Sequence, residues 1–181
     1  MKKLAFLSAT TMSVLFASQA FAFSDNTVTF QGEVTAETCS VTINGNSAKP
    51  LVLLPSVNVS ALAAPGQTAG QATFDIGVSG CTGSENAATK VSTVFAGNSV
   101  ATTGDLSNVA TTDAATNVNI QILDTTATAI DFSSPFTADG DLTLDAGATA
   151  ATATYTAQYI ATGVATAGEV ESTLQYAVSY N

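Results

Sequence analysis

Apolar side chains recur at every second position over much of this chain. The runs are Val28-x-Phe30-x-Gly32-x-Val34, Phe74-x-Ile76-x-Val78, Val91-x-Thr93-x-Phe95, Val118-x-Ile120-x-Ile122, Ala153-x-Tyr155-x-Ala157-x-Tyr159 and Leu174-x-Tyr176-x-Val178-x-Tyr180. A period of two belongs to strands with one buried face, since successive strand side chains point to opposite sides. The pattern predicts main strands near residues 28–43, 71–80, 91–97, 117–124, 151–161 and 172–180. Residues 51–59 (LVLLPSVNV) and 142–145 read as short edge strands. Pro55 suits an edge, because proline cannot donate to a central ladder. Turn-forming clusters separate the runs, among them Asn44-Gly45-Asn46, Pro65-Gly66, Thr103-Gly104-Asp105 and Asp139-Gly140-Asp141. The polar stretch 99–116 reads as a long surface connection. Short strands spaced by turns, with no internal repeat, predict a one-domain, all-β sandwich.

Composition supports strands over helices. The chain is rich in alanine, which favours helix, but threonine, valine and glycine are interspersed, and lysine, arginine and glutamate are scarce. The N-terminus sets the compartment. Lys2 and Lys3 precede an apolar run, Leu4 to Ala17, that is short for a bilayer span. Small residues follow, and a cut after Ala22, or after Ala20, completes a secretory signal peptide of bacterial type. Cutting after Ala22 leaves 159 of the 181 residues. It also removes two lysines and no acid, which moves the formal charge from −10 to −12. Such a surface repels nucleic acid and anionic membranes. No other segment has the length of a membrane span.

The two cysteines, Cys39 and Cys81, suggest one disulfide in an exported chain. Two thiols without histidine or a CxxC pattern make a poor metal site. Closing a loop of this length contributes roughly 4 kcal/mol in the chain-entropy account.

Catalytic chemistry finds little to use. The chain has no histidine, no GxSxG, no Cys/His pair and no P-loop. The pairs Asp139/Asp141 and Glu169/Glu171 lie in turn-like segments and read as solvated acids. The segment Asp139–Asp145 (DGDLTLD) alternates oxygen ligands but lacks the length and final glutamate of an EF-hand loop. It reads as a turn entering a short strand. Asn58-Val59-Ser60 has only the form of a glycosylation sequon. No cofactor is expected.

Several stretches, taken in order, carry a resemblance. They are TVTFQGEV (27–34) before Cys39, Cys81 after a β run, NVNIQILD (117–124), AQYIATGVATAGEVES (157–172), and a last strand with penultimate Tyr180. The set resembles the chaperone–usher pilin family, type 1 fimbrial major subunits in particular, over essentially the whole exported chain. The resemblance implies an incomplete immunoglobulin-like sandwich that lacks its last strand. A donor strand from another subunit, or from a periplasmic chaperone, would complete it, with exchange at an outer-membrane usher. Residues 23–30 would be the donor extension, inserting Ser24, Asn26, Val28 and Phe30, and 31–181 the pilin domain. Leu174, Tyr176, Val178 and Tyr180 would line the acceptor groove, and the Asn181 carboxylate would be held by the chaperone. The implied function is a structural subunit of a bacterial surface fimbria that supports cell adhesion. The alternatives are a minor or adaptor pilin, or a self-complete secreted sandwich that binds a ligand.

Overall fold

The computed structural model describes residues 39–48 and 50–180. The expected signal peptide, the donor residues Ser24, Asn26, Val28 and Phe30, the upstream part of the first predicted strand, and Asn181 lie outside the described residues.

Among the described residues eight strands form: β1 Ser40–Ile43, β2 Thr68–Ser79, β3 Thr89–Gly97, β4 Leu106–Ser107, β5 Val118–Leu123, β6 Phe136–Leu144, β7 Ala150–Ala161 and β8 Leu174–Tyr180. One sheet has the order β1-β2-β7-β5-β4 and the other β6-β3-β8. All the pairings are antiparallel. The alternating runs supply the core between the sheets. Phe74, Ile76 and Val78 of β2 face Val91 and Phe95 of β3, with Ile120 and Ile122 of β5 and Leu142 and Leu144 of β6. Full burial of such side chains contributes about 1.5–3 kcal/mol each. The architecture is the all-β sandwich that the periodicity predicts.

Cys39 and Cys81 are bonded, with Cα atoms 4.4 Å apart. The bond sits where β1 enters its pairing with β2, Ser40 opposite Ser79. It joins neighbouring strands and is the disulfide that the two cysteines suggest.

Three expectations change. Residues 51–59 form no strand: the segment runs extended and ends in a 3-10 turn, Val59–Leu62, capped by Asn58. Pro50 and Pro55 remove two of the N–H groups that a ladder would use. The stretch 99–116 is not wholly a surface connection, since it holds β4 and buries Leu106 and Asp105. Finally, 142–145 is not a separate strand, because residues 142–144 close the longer β6.

The acids of β6 depart furthest from expectation. Asp139 is exposed, but Asp141 turns its carboxylate inward. The carboxylate accepts the Thr93 N–H at 2.8 Å, the Thr93 hydroxyl at 2.7 Å and the Tyr155 hydroxyl at 2.7 Å. Thr93 belongs to one sheet and Tyr155 to the other, so this carboxylate bridges the sandwich. Tyr155 is fully buried, stacked on Phe74 at 5.8 Å and edge-on to Phe95 at 5.1 Å. Burial, and then the bond to Asp141, pushes its phenol well above the ordinary tyrosine range.

Removing the acceptor strands three donors, the N–H and hydroxyl of Thr93 and the Tyr155 phenol, whereas removing the phenol leaves Asp141 satisfied by Thr93. Asp141→Ala is therefore expected to lower stability by about 3 kcal/mol and Tyr155→Phe by about 1 kcal/mol, read as urea midpoints by circular dichroism. A phenol whose folded pKa is raised holds its full stabilisation below its unfolded pKa of about 10 and loses it as pH rises further. Tyr155→Phe should therefore flatten part of the alkaline fall in stability.

Candidate functional site

The last strand, β8, pairs with β3 in unbroken register, from Leu174 opposite Gly97 to Tyr180 opposite Val91. Among the described residues its other edge has no strand partner. Its side chains alternate as the sequence requires. Leu174, Tyr176, Val178 and Tyr180 are half-buried and pack on the core, while Gln175 and Ala177 are exposed. Beside this edge lies an apolar cavity of ≈ 650 Å³, bounded by Leu174 and Tyr176, by Phe74, Ile120 and Ile122 of the facing sheet, and by Leu62.

The extended segment 50–57 also lines this cavity. Val52 and Leu54 pack on the core, and alternating with them Leu51 and Leu53 are 73% and 77% exposed. Sequence reading missed this segment as part of the site. Its signal was the same alternation that suggested an edge strand, placed between two prolines. The groove thus lies next to two extended stretches of backbone, β8 and residues 50–57.

The two ends of β8 are anchored differently. At its C-terminal end the Cys39 N–H donates to the Tyr180 hydroxyl at 3.0 Å, which ties the strand to the disulfide. Before its N-terminal end, residues 163–173 form a strap bonded to the loop 108–117. Ala115 N–H donates to the Glu169 carbonyl at 2.9 Å, and Glu169 N–H to the Asp113 carbonyl at 2.8 Å. Asn108 completes the clamp: its amide donates to the carbonyls of Ala115 and Glu169 and accepts from the Glu171 N–H. Glu169 and Glu171 remain exposed at the rim of the cavity. Tyr159, which also lines it, has its phenol raised by burial and then by the charge of Glu169.

Of the predicted site residues, Leu174 and Tyr176 border the cavity. Val178 and Tyr180 lie on the same face further along the strand. No group of three or more acids and cysteines stands ready to hold a metal among the described residues. The arrangement offers an apolar trough beside a strand edge that has no strand partner among the described residues, suited to an extended peptide rather than to a small polar molecule.

The sequence model of the family described as Fimbrial protein matches residues 28–181. The chain is 38% identical to the F17 fimbrial protein of Escherichia coli over 160 residues, covering 86% of this chain and 87% of that protein. It is 37% identical to the S-fimbrial protein subunit SfaA of Escherichia coli O6:K15:H31 over 180 residues, covering 98% and 96%. Its fold is similar to the P pilus rod subunit PapA, with a TM-score of 0.56 at 18% identity, covering 78% of this chain and 99% of that one.

Gly168 provides a test of the strap. Its φ is 157°, and a Cβ there would collide with the backbone of Asp113, Ala114 and Ala115. Gly168→Ala should cost about 2 kcal/mol in urea unfolding. Gly147→Ala, with only the Glu85 side chain near its Cβ position, should cost less despite its φ of 75°.

Proposed function

The chain belongs to the fimbrial protein family, and we propose that it polymerises by accepting, beside β8, a strand donated by the next copy. Members of this family are structural subunits of surface pili and not enzymes, and they associate with other subunits. In this reading residues 1–22 are removed on export, 23–30 are the donor and 31–181 form the body. Ser24, Asn26, Val28 and Phe30 share one side of the donor and enter the groove of a neighbour.

The observation that carries the reading is the β8 edge beside the apolar cavity, an edge with no strand partner among the described residues. An unpaired edge over exposed core-type side chains is an aggregation hazard. A donated strand answers both parts of the problem. Its backbone pairs along β8, and its alternate side chains fill the trough, with about 1.5–3 kcal/mol for each fully buried Val28 or Phe30. Each subunit has one donor and one groove. The contact is therefore heterologous and builds an open filament.

The same exposed edge calls for protection before assembly. A periplasmic chaperone lends a strand and grips the Asn181 carboxylate with basic residues, a charge-assisted contact. An outer-membrane usher is where the neighbour's donor takes its place. The finished fibre lies on the cell surface and supports adhesion.

Deleting residues 23–29 removes the donor and leaves the groove. The shortened chain is expected to be captured by its chaperone as well as the full chain is, yet to form no fibres, as seen by electron microscopy of sheared cell-surface material. Fibres of normal length from the deleted chain would overturn the assignment.

A further inference from the structure

Among the described residues the two open sheets have four edges, and strand addition at any edge but β8 would branch or bundle the polymer. The edges differ sharply. β1 and β4 are four and two residues long. Very short edges give an incoming strand little to pair with. β6, at nine residues, is long enough to accept one.

The ladder between β6 and β3 is broken, however. Val91 pairs with Leu142 and Thr93 with Ala138, so Asp139, Gly140 and Asp141 stand against the single residue Ser92. Gly140 has a φ of 64°, and its N–H turns to the Ser92 hydroxyl at 2.9 Å. The Asp141 carboxylate points inward to Thr93 and Tyr155, while Asp139 stays exposed. A bulge and an inward-pointing charge are both known ways of spoiling an edge. What remains for pairing is two short runs, Phe136–Ala138 and Leu142–Leu144. By contrast, β8 offers seven residues in unbroken register.

We propose that the Asp139–Gly140–Asp141 bulge blocks antiparallel pairing of β6 with β6 of a second copy, and so leaves β8 as the edge through which this chain adds strands. The proposal rests on the strand-addition reading and deepens it: the groove determines where a strand is accepted, and the bulge determines where it is refused. The excess of acid over base reinforces the refusal, since two β6 edges brought together would face Asp139 against its own copy.

The register indicates how to straighten the edge. Deleting Asp139 and Gly140 places residue 141 opposite Ser92, on the face of the sheet away from Val91 and Thr93. Asp141→Thr then suits that position, and Tyr155→Phe removes the phenol that would lose its acceptor. Fibres sheared from cells expressing this combined variant are expected to lie side by side in electron micrographs. The fraction that sediments at low speed should rise several-fold over wild type. Tyr155→Phe alone should leave fibres single. Two results would overturn the proposal: single fibres from a combined variant whose disulfide is formed, or equal bundling by Tyr155→Phe alone. If the combined variant does not accumulate, Asp139→Thr with Asp141→Asn, which removes both charges at unchanged length, should still raise bundling, and wild-type behaviour there counts against the proposal. Deletion of residues 23–29 separates the two ideas. Fibres that persist without those residues contradict the donor assignment, while the bundling comparison still reports on β6.

Discussion

An antiparallel sheet leaves hydrogen-bonding groups unpaired along each outer strand, and the side chains beneath that strand stay partly wet. At β8 no strand among the described residues pairs with the outer edge, and Leu174, Tyr176, Val178 and Tyr180 are only half-buried. Much of the molecule is arranged around that edge. The facing sheet contributes Phe74, Ile120 and Ile122 to an apolar floor. The disulfide end holds Tyr180 through the Cys39 N–H, and the strap 163–173 holds the approach to Leu174. In the proposed exchange, a strand fixed at both ends would be a preorganised acceptor, for which less ordering entropy is lost on binding.

The same constraint makes sense of the interior. A sandwich that leaves one edge open must hold its two sheets together by other means. Asp141 does this from one sheet by accepting Tyr155 from the other, and the aromatic contacts of Tyr155 with Phe74 and Phe95 continue across the core. The cysteine bond adds a covalent link between β1 and β2. Of the residues in these contacts only Phe74 also lines the cavity, so most of the links between and within the sheets do not depend on the groove being filled. The bulge that turns Asp141 inward also disrupts the opposite edge of the sheet that carries β8, which links core stability to the choice of edge.

Much of this was legible in the sequence because strand periodicity is a local signal. The runs at Phe74, Val91, Val118, Tyr155 and Leu174 all became strands with the predicted faces buried. The fold and the half-buried face of β8 follow from that pattern. The cysteine pairing followed from there being only two. What failed to show was non-local. Leu51 and Leu53 read as an edge strand because alternation does not reveal whether a partner strand exists. Leu106 sat in a polar stretch whose scattered buried residues, Asp105 and Ala115 among them, show no period. Asp141 read as a solvated turn acid, since its inward turn depends on a two-residue excess on β6 against β3, which is a property of the pair rather than of either strand.

The central claim is that β8 and residues 50–57 receive a strand with the sequence of this chain's own residues 23–30. Its most direct test is hydrogen exchange on the chain lacking residues 23–29, with and without a synthetic peptide spanning residues 23–31. The account predicts that the peptide slows exchange at the β8 amides that point away from β3 and at amides of residues 51–57, and leaves β6 unchanged. Unaltered exchange along β8 at saturating peptide, or protection confined to another edge, would contradict it.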